Sequence, residues 1–425
     1  MCWLRGLRCS GSRMLLEQSV HCARASRNND ESGKRMTYAI RNVDIITPFR
    51  IIERGAIIVE GKKIAAIGLG SEIGIPEGVK TFDFDGMILT PGFVDLLVHG
   101  GGGHGFADMN AEAVESISQF YFKHGTTGLL AALYSKSEAE MIADVKRIAE
   151  YCSSTGGSNV WGMHLEGPFI NEELHGAMKA EYLWKPDVEK WRMLFEAGRG
   201  YIRLMTIAPE LTGADEVMRV AARGGVVLSI GHSAAGYDEV LTAIDNGAAH
   251  VTHMFNAMKP FHHRVPGVVV AAMLQNELKV ELIADGIHVH PAVMKLIFNV
   301  KGDGGIVLIT DAIRASGMPD GEYSFMDQRI CVRNKRAYLP DGTLAGSTLT
   351  MNQAVKTMVQ QVDVPLTHAV RMASLNGAKV LGREHQKGIL AVGKDADLVV
   401  MNKDFEVLMT IYEGSIKYSR DSPGG

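Results

Sequence analysis

The stretch that decides the fold is Val160-Trp161-Gly162-Met163-His164-Leu165-Glu166-Gly167-Pro168, in which a short apolar run ends directly in an acid and a Gly-Pro turn. Other apolar runs repeat this plan on both sides of it. The eight runs cover residues 88–98, 127–133, 160–165, 202–207, 226–230, 250–252, 280–284 and 306–309. Most intervals between them, such as residues 111–124 and 237–247, have the apolar spacing of an amphipathic helix.

Short apolar strands that alternate with helices predict a parallel sheet that is covered on both faces. Eight such units fit a closed barrel of about 250 residues better than an open sheet. We therefore predict an α/β protein whose residues 88–385 form a (β/α)8, TIM-like barrel.

Both ends of the chain carry short alternating strands broken by Gly and Asp, at residues 37–87 and 386–420. Domain termini often lie close together, so we predict that these segments form one small flanking β-sandwich domain. Residues 1–36 are rich in Arg, Ser and Cys and poor in acids, which fits an organellar transit peptide or a disordered leader. The leader is preferred because no long amphipathic Arg face is evident.

The composition excludes several classes of partner. The formal net charge of −4 gives no electrostatic reason to expect nucleic acid or an anionic membrane. No stretch approaches the roughly 18 uninterrupted apolar residues that a membrane span requires. Five cysteines, an odd number without a Cys-x-x-Cys pair, argue against a disulfide framework. We therefore expect a reducing compartment and a cytoplasmic protein.

A histidine or an acid follows six of the eight apolar runs. In a barrel, the residues just past the C-terminal ends of the strands meet at one face, where active sites form. The residues at these ends are His99, Glu166, His232, His253, Asp285 with His288, and Asp311. Polar residues scattered over a surface would not follow the strand ends in this way.

Three of these residues suit a metal ion. Glu166, His232 and His253 offer a carboxylate and two imidazoles, which suits Zn²⁺ or Fe²⁺ and leaves a position for water. Asp311 is placed to take a proton from that water and pass it to a leaving amine, and His288 to donate to the scissile carbonyl oxygen. Each residue alone fits a structural role, as Asp311 fits a helix cap. Because their positions converge, we prefer the metal interpretation.

Arg264 lies eleven residues after His253, at the end of a basic loop that starts at Lys259. A basic loop beside a metal site is suited to binding a phosphate or a carboxylate by charge-assisted hydrogen bonds. A solvated loop explains the same composition equally well, so the residues alone leave both interpretations open.

The order and spacing of longer motifs, from about residue 38 to the C-terminus, resemble those of the N-acetylglucosamine-6-phosphate deacetylases of the amidohydrolase superfamily. The motifs are Pro91-Gly92-Phe93-Val94-Asp95, His164-Leu165-Glu166-Gly167-Pro168-Phe169, Ala208-Pro209-Glu210, Gly231-His232-Ser233, Thr252-His253-Met254-Phe255-Asn256-Ala257-Met258, Ala284-Asp285-Gly286-Ile287-His288, Thr310-Asp311-Ala312, Leu344-Ala345-Gly346-Ser347, Ala373-Ser374-Leu375-Asn376-Gly377-Ala378 and Gly393-Lys394-Asp395-Ala396-Asp397-Leu398. The His-Met-Phe-Asn-Ala-Met run with the strand-end Glu is specific to this family, whereas the last motif is shared across the superfamily.

The resemblance implies that Glu166, His232 and His253 hold one divalent ion per subunit, zinc or iron, and that Asp311 and His288 are catalytic. It also implies a set of residues that bind a sugar phosphate: Ala177, Asn256, Ala257, Arg264, His288, Leu344, Ala345, Gly346 and Ser347. In such enzymes the phosphate-binding arginine reaches the site of a neighbouring subunit, so a homodimer is implied as well.

Two positions depart from the family pattern. Many amidohydrolases carry His-x-His after the first strand, where this chain has Leu97 and His99. This difference favours a single metal ion and leaves His99 as an accessory ligand or a substrate contact. Relatives often have Gly-Ala-His shortly after the metal-binding Glu, where this chain has Gly176-Ala177-Met178. A histidine contact to the substrate is therefore missing at Met178.

The reaction implied by the resemblance is hydrolysis of N-acetyl-D-glucosamine 6-phosphate to D-glucosamine 6-phosphate and acetate, in amino-sugar catabolism. One alternative is an amidohydrolase that acts on another N-acyl or cyclic amide substrate. A second is a non-catalytic barrel retained as a scaffold. The scaffold is disfavoured because Glu166, His232, His253 and Asp311 are all present.

Overall fold

A computed structural model describes residues 36–108, 111–154 and 158–420. The predicted leader therefore lies outside the described residues, apart from Met36. Within these ranges no helix combines the length and the apolar character that a membrane crossing needs.

The described part of the chain begins with five strands of one sheet. They are β1 (Thr37–Ile46), β2 (Ile51–Glu60), β3 (Lys63–Leu69), β4 (Lys80–Asp83) and β5 (Ile88–Pro91). β1, β2 and β3 form an antiparallel meander, and β4 and β5 lie parallel to β1. Ile40 and Ile57, partners in the register of β1 and β2, are both fully buried.

The continuous apolar run 88–98 is divided between two sheets, so its assignment to one barrel strand beginning at residue 88 was wrong. Residues 88–91 form β5 of the first sheet, and the barrel starts with β6 (Phe93–Val98). The change of sheet occurs at Gly92. A Cβ atom at this position would lie 2.0 Å from Thr127 Oγ1, so only glycine lets the two segments approach this closely.

The predicted barrel is confirmed. After β6 and a small hairpin of β7 (Gly100–Gly101) and β8 (His104–Gly105), its strands are β9 (Thr126–Tyr134), β10 (Val160–Glu166), β11 (Ile202–Ile207), β12 (Val227–Ile230), β13 (Ala248–Val251), β14 (Lys279–Ile283) and β15 (Ile306–Ile309). β6 and β9 to β15 pair in sequence order, all parallel. A core of buried Val, Leu, Ile and Met side chains joins these strands to the helices around them.

The helices lie between the barrel strands and after the last one. They are α1 (Ala111–Lys123), α2 (Glu138–Ser154), α3 (Val188–Ala197), α4 (Ala214–Arg223), α5 (Tyr237–Asp245), α6 (Gly267–Leu274), α7 (Pro291–Lys301), α8 (Met351–Gln360), α9 (Leu366–Ala373) and α10 (Leu375–Val380), with short 3-10 turns at Phe106–Asp108, Glu172–Leu174 and Ala180–Tyr182. Local signals start several of them. Asp187, for example, accepts a hydrogen bond from the Lys190 amide at the start of α3.

The first and last barrel strands are joined by a side chain as well as by the backbone. The carboxylate of Asp95, in β6, accepts hydrogen bonds from the Thr310 amide and hydroxyl, at 3.1 and 2.6 Å. Backbone bonds continue this junction from Asp311 to Leu97 and from His99 to Ala312. The residues just past both strands are thereby held side by side.

A four-stranded antiparallel sheet, which was not predicted from the sequence, follows β15. Its strands are β16 (Gly321–Phe325), β17 (Gln328–Arg333), β18 (Arg336–Tyr338) and β19 (Leu344–Ser347). Met326 and Asp327 connect β16 to β17 with left-handed backbone at both residues, the geometry of a tight hairpin turn. Ile330 and Val332 of this sheet pack with Ile170 and other buried residues of the loops above the barrel.

The C-terminal strands return to the first sheet, as predicted. They are β20 (Leu398–Met401), β21 (Val407–Tyr412) and β22 (Ser415–Ser419). β20 pairs antiparallel with β5, so N- and C-terminal segments share one eight-stranded sheet that is separate from the barrel. Its buried face has its own apolar cluster, which includes Leu398 and Ile411.

Candidate metal centre and substrate pocket

Three of the residues predicted as metal ligands lie together at the C-terminal face of the barrel. Nε2 of His232 and Nε2 of His253 lie 3.2 and 3.1 Å from Oε1 of Glu166, and 3.0 Å from each other. All three residues are buried, with at most 4% of their surface exposed. They come from the ends of β10, β12 and β13, and so the parallel barrel brings together residues far apart in sequence.

The backbone at these strand ends is strained. His232, His253 and Asp311 each have a positive φ, of 49°, 26° and 51°. Non-glycine residues rarely adopt this conformation, and where they do, it is concentrated at functional sites because the surrounding structure must hold it in place. Here each turn directs a polar side chain over the barrel mouth immediately after a strand ends.

The geometry of the three residues fits a metal ion. Nδ1 of His232 donates to the carbonyl oxygen of Leu174 at 2.7 Å, so Nε2 of the neutral ring carries a lone pair. That lone pair lies 3.2 Å from a carboxylate oxygen, so the contact is favourable only when a proton or a metal ion lies between the two atoms. Ligand atoms around a tetrahedral zinc ion, bound at about 2.1 Å, are roughly 3.4 Å apart, a little more than the spacing found here.

A second group of side chains shares Glu166. Nε2 of His99 lies 3.2 Å from Oε2 of Glu166 and 3.3 Å from Oδ1 of Asp311. These three residues also form a group with the spacing of metal ligands. Each oxygen of Glu166 thus faces a different group of residues. Although burial raises the pKa of a carboxyl group, hydrogen bonds from the three imidazoles hold the pKa of Glu166 well below its ordinary value.

A pocket of about 230 Å³ opens over these residues. It is lined by most of the residues proposed to contact substrate, together with the metal-type ligands: His99, Glu166, Gly176, Ala177, Met178, His232, His253, Asn256, Ala257, His288, Asp311, Phe325, Met326, Thr343, Leu344 and Gly346. Ala345 and Ser347 do not line it. Side chains alternate along β19, so Ala345 packs into an apolar cluster, and the Ser347 hydroxyl bonds to the Thr310 carbonyl.

Arg264 also lies outside the lining of this pocket. It is exposed on the loop before α6, where its guanidinium lies 2.9 Å from Nε2 of the neighbouring His263. Among the described residues, the pocket lining includes no Lys or Arg. A single chain therefore does not bring the predicted phosphate-binding cation to the pocket.

Other residues of the site were not predicted. The carboxylate of Glu210 accepts hydrogen bonds from the Ser233 hydroxyl and the Ala234 amide, at 2.7 and 2.6 Å, and thus holds the turn that carries His232. Glu210 follows β11, so extending the strand-end argument to that strand would have found it. Phe325 and Met326 come from the inserted sheet, and nothing in their local sequence indicates that they reach the barrel mouth.

The chain belongs to the Amidohydrolase family, whose model matches residues 88–417. It is 36% identical to the N-acetylglucosamine-6-phosphate deacetylase of Bacillus subtilis strain 168 over 391 residues, which cover 89% of this chain and 96% of that protein. It is also 32% identical to the N-acetylgalactosamine-6-phosphate deacetylase of Escherichia coli O157:H7, covering 90% of this chain and 99% of that one.

A similar fold has been solved for a deacetylase from Mycobacterium smegmatis, as a mutant in complex with N-acetyl-D-glucosamine-6-phosphate. The two chains are 32% identical and superpose with a TM-score of 0.84, over 91% of this chain and 100% of that one. Fold and sequence therefore both relate this chain to deacetylases of acetamido-sugar phosphates.

Proposed function

We propose that this protein hydrolyses the acetamide of N-acetyl-D-glucosamine 6-phosphate, releasing acetate and D-glucosamine 6-phosphate. The observation that carries the proposal is the group of Glu166, His232 and His253 with Asp311 beside it, in a pocket at the barrel mouth. The relatives named as deacetylases of acetamido-sugar phosphates support this choice of substrate.

We propose one divalent ion per chain, zinc or iron, held by Glu166, His232 and His253. When bound, such an ion polarises a carbonyl oxygen and lowers the pKa of a coordinated water. One observation favours a single ion. Leu97, which occupies the position of a further ligand in many amidohydrolases, is apolar and fully buried.

The protein's own residues supply the proton transfers and the orientation of the substrate. Asp311 is proposed to take the proton from the attacking water and to return it to the nitrogen of the leaving amine. His288 is proposed to donate to the acetamide oxygen as negative charge develops there. Asn256 and Ala257, which also line the pocket, are proposed to contact the sugar.

We propose that the 6-phosphate is bound by Arg264 of a neighbouring chain in a homodimer. The absence of Lys and Arg from the described lining of the pocket supports this assignment, because a phosphate needs a nearby cation. The loop carrying Arg264 also exposes two large apolar side chains, with Phe261 at 64% and Val265 at 61% exposure. Exposed apolar residues around one exposed arginine are typical of a subunit interface.

A reducing compartment, the cytoplasm, is proposed for the protein. Cys152 and Cys331, the two cysteines within the described ranges, are both free. Free thiols are the rule where disulfides are kept reduced.

The experiment that tests the function is product analysis on purified protein with quantified metal content. N-acetyl-D-glucosamine 6-phosphate should give acetate and the free amine in equal amounts, with one ion bound per chain. The unphosphorylated sugar and the galactosamine epimer are the comparison substrates. Equal turnover without the phosphate would remove Arg264 from the proposal, and faster turnover of the epimer would change the substrate. A metal-free sample that stays inactive with added zinc would favour the scaffold.

A further inference from the structure

The loop between β14 and α7 holds a carboxylate against His288. Oδ1 of Asp285 accepts hydrogen bonds from the amides of Ile287 and His288, both at 2.8 Å. Its other oxygen, Oδ2, lies 2.7 Å from Nδ1 of His288. The side chains of His288 and Asp285 are only 6% and 8% exposed, so this contact is shielded from solvent. His288 itself lines the substrate pocket, but Asp285 does not.

These contacts determine where His288 carries its proton. An ionised carboxylate only accepts hydrogen bonds, so Nδ1 must be the protonated ring nitrogen. Although burial raises the pKa of a carboxyl group, the hydrogen bond and charge of His288 and the two amides hold the pKa of Asp285 below its ordinary value. Nε2 then donates to a substrate oxygen only when the ring carries a second proton, a form that a neighbouring carboxylate stabilises.

We propose that Asp285 is a positioning residue for catalysis, which fixes the His288 proton on Nδ1 and stabilises the charged ring that donates to the acetamide oxygen. The inference rests on the proposed function, because His288 has this task only if an amide is hydrolysed in the pocket. The competing explanation is that Asp285 only shapes the turn through its two backbone contacts.

The substitution Asp285→Asn separates these explanations. The two amide donors require an oxygen acceptor, so Asn keeps its oxygen at the Oδ1 position and the turn is preserved. Its NH₂ group then faces Nδ1 of His288 and donates to it. The neutral ring must move its proton to Nε2, and the ring loses the adjacent negative charge. Because neutral hydrogen bonds are about half as strong as charge-assisted ones, we expect kcat to fall about 10-fold or more, with little change in KM.

The control is Asp187→Asn, at an aspartate that also accepts a backbone hydrogen bond, from Lys190, but lies at the start of α3. This substitution should leave kcat unchanged. A double-mutant cycle adds the specific test. In a protein that already carries His288→Asn, the change Asp285→Asn should cause no further loss, because the group through which Asp285 acts is absent.

Ring ¹⁵N NMR reads the proton position directly and does not depend on turnover. The His288 signal is assigned by its disappearance in His288→Asn. Nδ1 should carry the proton in the unsubstituted protein, and Nε2 in Asp285→Asn. The proposal is overturned if kcat of Asp285→Asn equals that of the control, or if its loss is equally large without His288. If Asp285→Asn does not fold, the NMR spectrum of the unsubstituted protein still tests the proposal, which is overturned if His288 carries its proton only on Nε2. An unsubstituted protein with the expected proton position but no turnover would instead refute the proposed function.

Discussion

The assignment of Arg264 to a neighbouring chain makes a quantitative prediction. Arg264→Ala removes a guanidinium that can form two charge-assisted hydrogen bonds to a phosphate, each contributing about 1.5 kcal/mol or more. Together they amount to about 3 kcal/mol, so kcat/KM for the phosphorylated substrate should fall about 10²-fold. The unphosphorylated sugar, which has no group for Arg264 to bind, should be turned over at an unchanged rate.

A mixing experiment then decides which chain supplies the arginine. Arg264→Ala keeps Asp311, and Asp311→Asn keeps Arg264, so neither variant forms a complete site alone. In a mixed two-fold dimer, one site receives Asp311 from its own chain and Arg264 from the partner. Random re-association of equal amounts makes about half of the dimers mixed, each with one complete site of two. The mixture should therefore recover about one quarter of the unsubstituted activity.

The assay is acetate release after the two variants are dissociated together and reassembled. Mixing without dissociation is the control, and should give no recovery. If Arg264 serves the pocket of its own chain, mixed dimers contain no complete site and activity stays at the level of the separate variants. That result, obtained with dimers shown to have exchanged subunits, would refute the proposed assignment of Arg264.

Further predictions concern proton transfer, the metal ion and a buried charge. Asp311→Asn should lower kcat by about 10²-fold or more while the ion content stays at one per chain, and loss of an ion would identify Asp311 as a ligand. Chelation should abolish turnover and added zinc should restore it, whereas full activity without metal would contradict the mechanism. Lys387→Met should destabilise the protein by about 3–5 kcal/mol at pH 7, because Lys387 is 3% exposed and paired with three carboxylates, Asp395 and Glu413 among them. Burial raises the pKa of Asp395 and Glu413, but neighbouring lysines outweigh this effect and hold both pKa values below the ordinary value. The two ion pairs therefore stabilise the protein fully above about pH 4, and this stabilisation is lost as the pH falls through the lowered pKa. The difference in melting temperature between the two proteins should therefore shrink at pH 3, and a constant difference would show that the loss is one of packing alone.

The barrel and the centre of its site could be predicted because both follow from a repeated pattern. Each apolar run was followed by a turn, and a parallel barrel must bring all such turns to one face. The prediction that Glu166, His232 and His253 lie together follows from this pattern alone. The same reasoning, applied to every strand, also reaches Glu210.

The remaining features depend on contacts that the local sequence does not encode. Residues 88–98 read as one strand because both sheets require buried apolar residues, and only Gly92 marks the change between them. Phe325 reaches the pocket because the inserted sheet folds back over the barrel, a long-range packing effect. The proposed place of Arg264 in the pocket of a neighbouring chain depends on how two chains associate, and no pattern within one sequence determines that.

The junction between the first and last barrel strands has a consequence for how activity is interpreted. Asp311 and His99 stand directly above it, held by the bonds that link Asp95 to Thr310 and Asp311 to Leu97. If this junction opened, the carboxylate of Asp311, the proposed proton carrier, would move away from Glu166. The two histidines proposed as ligands follow β12 and β13, at the opposite side of the barrel, and would stay in place. Turnover would then stop before the ion was released. The rate of acetate release would thus report whether the barrel is closed between its first and last strands. It would reveal early unfolding at this junction that a measurement of metal content would miss.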